Sequence, residues 1–200
     1  AIRVNAQRRK ANKLLSVQKA EIEKQKQLVE SKQKEILDSI NYARRIQTAL
    51  MASENLLTSN LPEHFVFFRP KDIVAGDFYW AEAVNDTFMY ATADSTGHGV
   101  PGAFMSIVGH NLLDKIVGEY HLTSPAEILN YLNKGVSETL RQSAEQTNIK
   151  DGMDISLCVF NTQTKVLEFA GAYNPLYIVS QHNIEGAEVN MESETGLKLY

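Results

Sequence analysis

Two hydrophobic patterns divide the chain. In the first, Leu15, Ile22, Val29, Ile36, Ala43 and Leu50 recur at every seventh position. Residues 1–52 hold neither Gly nor Pro and are rich in Lys, Gln, Glu, Ala and Leu, which enter helices at little cost. A sustained seven-residue apolar repeat on one helix predicts a seam of a coiled coil. The positions three further on are Gln18, Gln25, Lys32, Ser39 and Ile46. That second seam is mostly polar, so the expected two-stranded coil is weak and adjustable. A long helix packed on its own domain is the alternative.

The second pattern starts after Ser59-Asn60-Leu61-Pro62. This boundary predicts a coiled-coil linker helix over 1–58 and a separate domain over 62–200. Short apolar runs at 65–68, 77–80 and 88–93 predict strands, and so do 155–161, 166–170 and 176–179, parted by turns. Pro101 opens a predicted helix over 101–118, with Ala103, Phe104, Ile107, Val108, Leu112 and Ile116 facing inward. A second helix follows Thr123-Ser124-Pro125, with Ile128, Leu129, Leu132 and Val136 inward. Residues 143–151 read as a polar loop, and Asn161–Lys165 as a hairpin turn. Strands, then paired helices, then strands predict an α+β domain.

Composition narrows the possibilities. The chain has 200 residues, 44% of them hydrophobic, enough to build a core. Its net charge of −4 conceals an asymmetry: residues 1–50 carry 12 basic against 5 acidic side chains, and the remainder 8 against 19. An acidic second part argues against nucleic acid as its ligand and suits divalent cations. One cysteine, Cys158, excludes an internal disulfide and predicts an inert core thiol in a reducing, cytoplasmic setting. No apolar run reaches the length of a membrane span and no signal peptide opens the chain. A first residue other than Met predicts a piece of a longer protein, which could be the cytoplasmic part of a membrane-attached sensor.

Two acids stand at predicted strand ends beside glycine. Asp77 follows Gly76 and precedes an aromatic run; Asp94 leads into Ser95-Thr96-Gly97-His98-Gly99. Two carboxylates brought together repel, and an interposed Mg²⁺ or Mn²⁺ relieves the repulsion. Glycines after the second acid let backbone approach such ions. The competing reading is that each Asp merely closes a turn.

The motifs Gly76-Asp77-Phe78-Tyr79-Trp80, Asp94-Ser95-Thr96-Gly97-His98-Gly99-Val100-Pro101-Gly102-Ala103-Phe104-Met105-Ser106, Asp151-Gly152-Met153-Asp154-Ile155-Ser156-Leu157 and Ala170-Gly171-Ala172-Tyr173-Asn174-Pro175-Leu176-Tyr177 occur in that order. Together they resemble the SpoIIE-type branch of the PPM (type 2C) metal-dependent serine/threonine phosphatases, over residues 62–180. The stretch from Asp94 to Ser106 is the most specific. Ile40-Asn41-Tyr42-Ala43-Arg44-Arg45-Ile46-Gln47 resembles the linker helix that joins such domains to upstream sensors.

The resemblance implies a PP2C-like β-sandwich flanked by helices, partial here, with two Mn²⁺ or Mg²⁺ ions at one edge. Asp77 and Asp94 would be acidic ligands, and Ser95 would add its backbone carbonyl. Water would attack phosphorus directly, without a covalent phosphoenzyme. The family usually carries Asp where this chain has Trp80, and its two later acidic motifs do not occur before Tyr200. With so few ligands, the chain as it stands is expected to be weak or inactive and to leave a sheet edge unpaired. The polar stretch His182–Thr195 is expected to lie outside a normal core strand.

Further candidates have two readings each. Asp151 and Asp154 flank a strand start and are accessory metal ligands or turn-forming acids. His98 is a general acid to the leaving alkoxide or a loop hydrogen-bonder. Arg69 and Lys71 hold the substrate phosphate or are exposed strand-end cations. His64, His110, His121 and His182 show no ligand spacing.

The expected function is a metal-dependent protein phosphatase, the output domain of a bacterial-type signalling protein. The resemblance implies a phosphorylated STAS-like anti-anti-sigma regulator as substrate. Expected partners are a second copy, through the N-terminal coil, and an upstream sensor in the same polypeptide. The alternative is a non-catalytic dimeric module that uses an incomplete phosphatase fold to bind a partner.

Overall fold

The computed structural model describes residues 2–61, 63–143 and 151–179. The expected loop at 144–150 and the polar stretch His182–Thr195 lie outside the described residues. The chain forms two units, Ala1–Ala43 and Arg44–Tyr200.

The first unit is one uninterrupted stretch of helix α1 (Ile2–Leu50), as the absence of Gly and Pro predicts. Same-face pairs run along it: Lys26–Glu30, Lys32–Glu35, and Gln25 donating to Glu21. Each adds only about 0.2–0.5 kcal/mol to a helix. Leu15, Ile22, Val29 and Ile36 are all at least half exposed, so the heptad seam is uncovered in the single chain.

In the second unit the last turns of α1 lead into a short helix, α2 (Glu54–Asn60), which the sequence pattern did not predict. Ser53 caps it, its hydroxyl accepting from the Leu56 amide. The sheet follows: β1 (Phe78–Val84), β2 (Thr87–Ser95), β3 (Met153–Asn161) and β4 (Leu167–Ala172), antiparallel in the order β1-β2-β3-β4. Between β2 and β3 come α3 (Gly99–Gly118) and α4 (Pro125–Ser143).

Alternation along the strands decides which face meets the helices. Phe78, Trp80, Met89, Ala91, Ala93, Ile155, Leu157 and Val159 form one buried cluster with Leu113, Ile116 and Val117 of α3 and Ile128, Leu132 and Val136 of α4. On the opposite face Ala81 and Phe88 pack with Leu57 of α2. The result is the expected α+β arrangement, with one helix-covered sheet among the described residues.

Several expectations need correction. Residues 65–68 form no strand: Phe65 and Phe67 point into solvent, and half-buried Phe68 packs edge-to-face with Tyr79, ring centroids 5.9 Å apart. Residues 176–179 form no strand either, with Tyr177, Ile178 and Val179 exposed. An apolar run becomes a strand only when a neighbouring backbone edge accepts it, which composition does not reveal. Helix α3 begins at Gly99, two residues before Pro101, and Phe104 is exposed rather than inward. Ala103 and Ile116 are buried as expected, and Met105, Gly109 and Leu113 join them on the buried face. The turn at Asn161 is as predicted: its side-chain oxygen accepts from the amides of Gln163 and Thr164.

Candidate active site

The β1–β2 register carries Phe78 opposite Ala93. One step further toward the strand ends, this pairing sets Asp77 opposite Asp94. Their side chains line one cleft. Partial burial, and then the neighbouring Asp94 carboxyl, hold the Asp77 carboxyl above its ordinary value. Both residues still reach solvent.

Glycines let the surrounding loops close on this pair. Gly97 and Gly99 have φ of +87° and +64°, the left-handed region that other residues seldom adopt. A Cβ on Gly102 would fall 2.6 Å from the Gly97 carbonyl oxygen and 2.9 Å from the Gly76 Cα. The loop before Asp77, the loop after Asp94 and the first turn of α3 thus touch backbone to backbone. Gly102→Ala is expected to destabilise the unit by about 1–3 kcal/mol, because rigid backbone must move. Chemical denaturation checks this; an unchanged midpoint would mean the three backbones are not in contact.

A cleft of about 190 Å³ opens over the pair, lined by Lys71, Asp72, Asp77, Asp94, His98 and the intervening glycines. Lys71 and His98, both singled out in the sequence, therefore stand beside the two acids, whereas Arg69 is exposed and outside the lining. Ser95 is buried and its hydroxyl has no hydrogen-bond partner. Its carbonyl oxygen would come 3.0 Å from a Cβ on Gly76, and so borders the same loop contact. Asp151 lies outside the lining; its carboxylate accepts from the Thr96 hydroxyl at 3.1 Å, while the Thr96 amide bonds the Gly152 carbonyl at 2.9 Å. It braces the loop that carries Asp94. Asp154 is the register partner of Asp94 on β3, also outside the lining.

Three features were not legible in the sequence. Asp72 contacts His98. Gln47, near the end of α1, is buried; its Nε2 donates to the Ala75 carbonyl at 2.6 Å and to Ser106 Oγ at 2.7 Å, and its Oε1 accepts from the Ala75 amide at 3.0 Å. Its sequence signals are its place at the end of the Ile40–Gln47 linker-helix motif and a polar side chain between Ala43 and Leu50, neither of which names its partners. Trp80 is fully buried and its indole donates to Asp114 of α3 at 2.7 Å. Asp114 also lies 3.2 Å from the His110 ring nitrogen, without hydrogen-bond geometry. The indole thus ties β1 to α3.

The family model for Stage II sporulation protein E (SpoIIE) matches residues 85–198. The chain belongs to the SpoIIE family of PP2C-like phosphatases. Among solved structures it is similar to the SiaA-PP2C domain of Pseudomonas aeruginosa, at 32% identity and a TM-score of 0.59 over 70% of this chain. The chain spans 55% of that domain's length. A search of curated proteins found no match. The family places a phosphatase domain here, of a kind generally dependent on Mn²⁺ or Mg²⁺.

The donor set in this SpoIIE domain fits such ions in part. Two neighbouring carboxylates, one held above its ordinary value by burial and then by the other, are the oxygen chemistry that hard divalent cations relieve. Among the described residues, however, no three acidic, His or Cys side chains gather closely enough to hold an ion together. Asp77, Asp94 and the Ser95 carbonyl are therefore the groups at this edge that would hold the cations, with water supplying further oxygens.

Proposed function

We propose that this SpoIIE domain is the catalytic part of a metal-dependent phosphoserine/phosphothreonine protein phosphatase. The pairing of Asp77 and Asp94 at neighbouring strand ends carries the reading. Bound Mn²⁺ or Mg²⁺ would supply positive charge and an acidified water. The chain's own groups do the rest. Asp77 and Asp94 hold the cations, the glycine-packed loops keep both acids in place, and Lys71 attracts the phosphate. His98 faces the departing ester oxygen. A phosphorylated STAS-like regulator is the substrate class, following the family resemblance. Isothermal titration with Mn²⁺, beside phosphate release from a phosphoserine protein, tests the reading. Metal binding and hydrolysis that both vanish on chelation would support it; tight substrate binding without hydrolysis would favour a non-catalytic partner-binding module, which the lack, among the described residues, of three ligating side chains close enough to share an ion also favours.

The exposed seam on α1 supports the second half of the proposal: a parallel homodimer whose coil receives a signal from an upstream sensor. Burying Leu15, Ile22, Val29 and Ile36 between two chains removes apolar surface that a single chain leaves in water. The double change Ile22→Glu with Val29→Glu is expected to convert dimer to monomer in light scattering. A monomer in the unaltered chain at high concentration would refute the coil. No described helix is long and apolar enough to cross a membrane; a cytoplasmic site of action is part of the proposal.

A further inference from the structure

The segment just before Gly76 brings a third acid to the cleft, beside Asp77 and Asp94. Asp72 Oδ2 lies 2.9 Å from His98 Nδ1, and both residues line the cleft with Asp77 and Asp94. The backbone prepares this contact. His98 sits in an extended conformation between two glycines of positive φ, immediately before α3, and makes no side-chain cap to that helix. A Cβ on Gly99 would come 3.6 Å from the Asp72 carboxylate, so the acid lies against the Gly99 backbone. An ionised carboxylate only accepts hydrogen bonds, so Nδ1 carries the proton in this pair. The His98 side chain is 73% exposed, which leaves Nε2 accessible to a molecule entering the cleft.

We propose that Asp72 is the positioning residue for His98: it holds the imidazole by Nδ1–H so that Nε2 hands a proton to the ester oxygen of a phosphoserine or phosphothreonine as that oxygen leaves. The inference rests on the phosphatase reading above. As the P–O ester bond breaks, its electron pair moves to the ester oxygen. That oxygen takes the Nε2 proton of the doubly protonated ring and departs as the side-chain hydroxyl. The ring is left neutral, with Nδ1–H still donated to Asp72, and regains a proton from solvent. The attacking water gives phosphorus its new oxygen and loses a proton to solvent. An alkoxide is a poor leaving group and needs this proton, whereas p-nitrophenolate leaves readily without it.

That difference distinguishes positioning from mere loop support. With Mn²⁺ present, Asp72→Asn in the full chain is expected to lower kcat on a phosphoserine peptide about 100-fold. The loss on p-nitrophenyl phosphate is expected to be at least about tenfold smaller, with KM for the peptide little changed. Asp72→Glu is expected to restore part of the peptide rate. Equal losses on both substrates would mean that Asp72 only supports the loop, and would overturn the proposal. A second measurement is independent of turnover. In ¹⁵N-edited spectra at alkaline pH, His98 is expected as the Nδ1–H tautomer, and Asp72→Ala is expected to shift it toward Nε2–H. An Nε2–H ring in the unaltered chain, or one indifferent to Asp72→Ala, would overturn the Asp72–His98 bond. Hydrolysis of neither ester by a version of the domain spanning the full length of its solved relative would overturn the phosphatase reading and the proton step together, while the spectra would still decide the bond.

Discussion

In a version of the domain spanning the full length of its solved relative, Asp94→Ala is expected to abolish hydrolysis of a phosphoserine protein, lowering kcat at least about 10²–10³-fold, the scale for removing one strong electrostatic contact at a reacting centre. Asp94 lies one residue before the end of β2 and lines the cleft with Asp77, so its loss removes an anionic oxygen from the edge where cations would sit. The same pair gives a control against misfolding. Asp77 is held above its ordinary value in the folded chain, by partial burial and then by Asp94. A carboxyl raised on folding favours the folded state below its unfolded value, and that advantage is lost as pH rises through the folded value. At neutral pH, without metal, the penalty is fully present. Asp94→Asn is therefore expected to melt higher than the unaltered chain in EDTA at pH 7. The gap should narrow as pH falls into the carboxylate range. Lost activity together with unchanged or raised stability would assign Asp94 to the chemistry; near-normal activity would remove it from the site.

Gln47→Leu is expected to destabilise the second unit by about 2–5 kcal/mol. Leucine nearly matches the shape of glutamine but cannot bond the Ala75 amide, the Ala75 carbonyl or Ser106 Oγ. Two buried backbone groups then lose their partner, at about 1–3 kcal/mol each. The damage falls two residues from Asp77, so Mn²⁺ affinity is expected to weaken as well. Thermal unfolding in EDTA, followed by metal titration, separates the two effects. Unchanged values in both would mean that Gln47 does not hold the Ala75 loop.

Local physics makes much of this chain legible from its residues alone. The helical character of residues 2–50 follows from the lack of Gly and Pro, and the heptad seam from spacing. The Asp77 and Asp94 positions follow from acids beside glycines at the ends of apolar runs, and α4 from a clean 3.6-residue stripe. Tertiary structure decides what depends on distant partners. Phe65–Phe68 has the composition of a strand but pairs with no strand among the described residues, so it is not one. Trp80 is spaced as a core residue, yet only the arrival of α3 shows that its indole bonds Asp114. Gln47 and Ala75 are 28 residues apart, and Asp72 and His98 are 26 apart. Neither pair has a period or motif to announce it. Spacing reports what one element does to itself; which side chain satisfies a buried amide or orients an imidazole is settled only when separate elements pack, and there the backbone contact of Gly76, Gly97 and Gly102 sets the geometry.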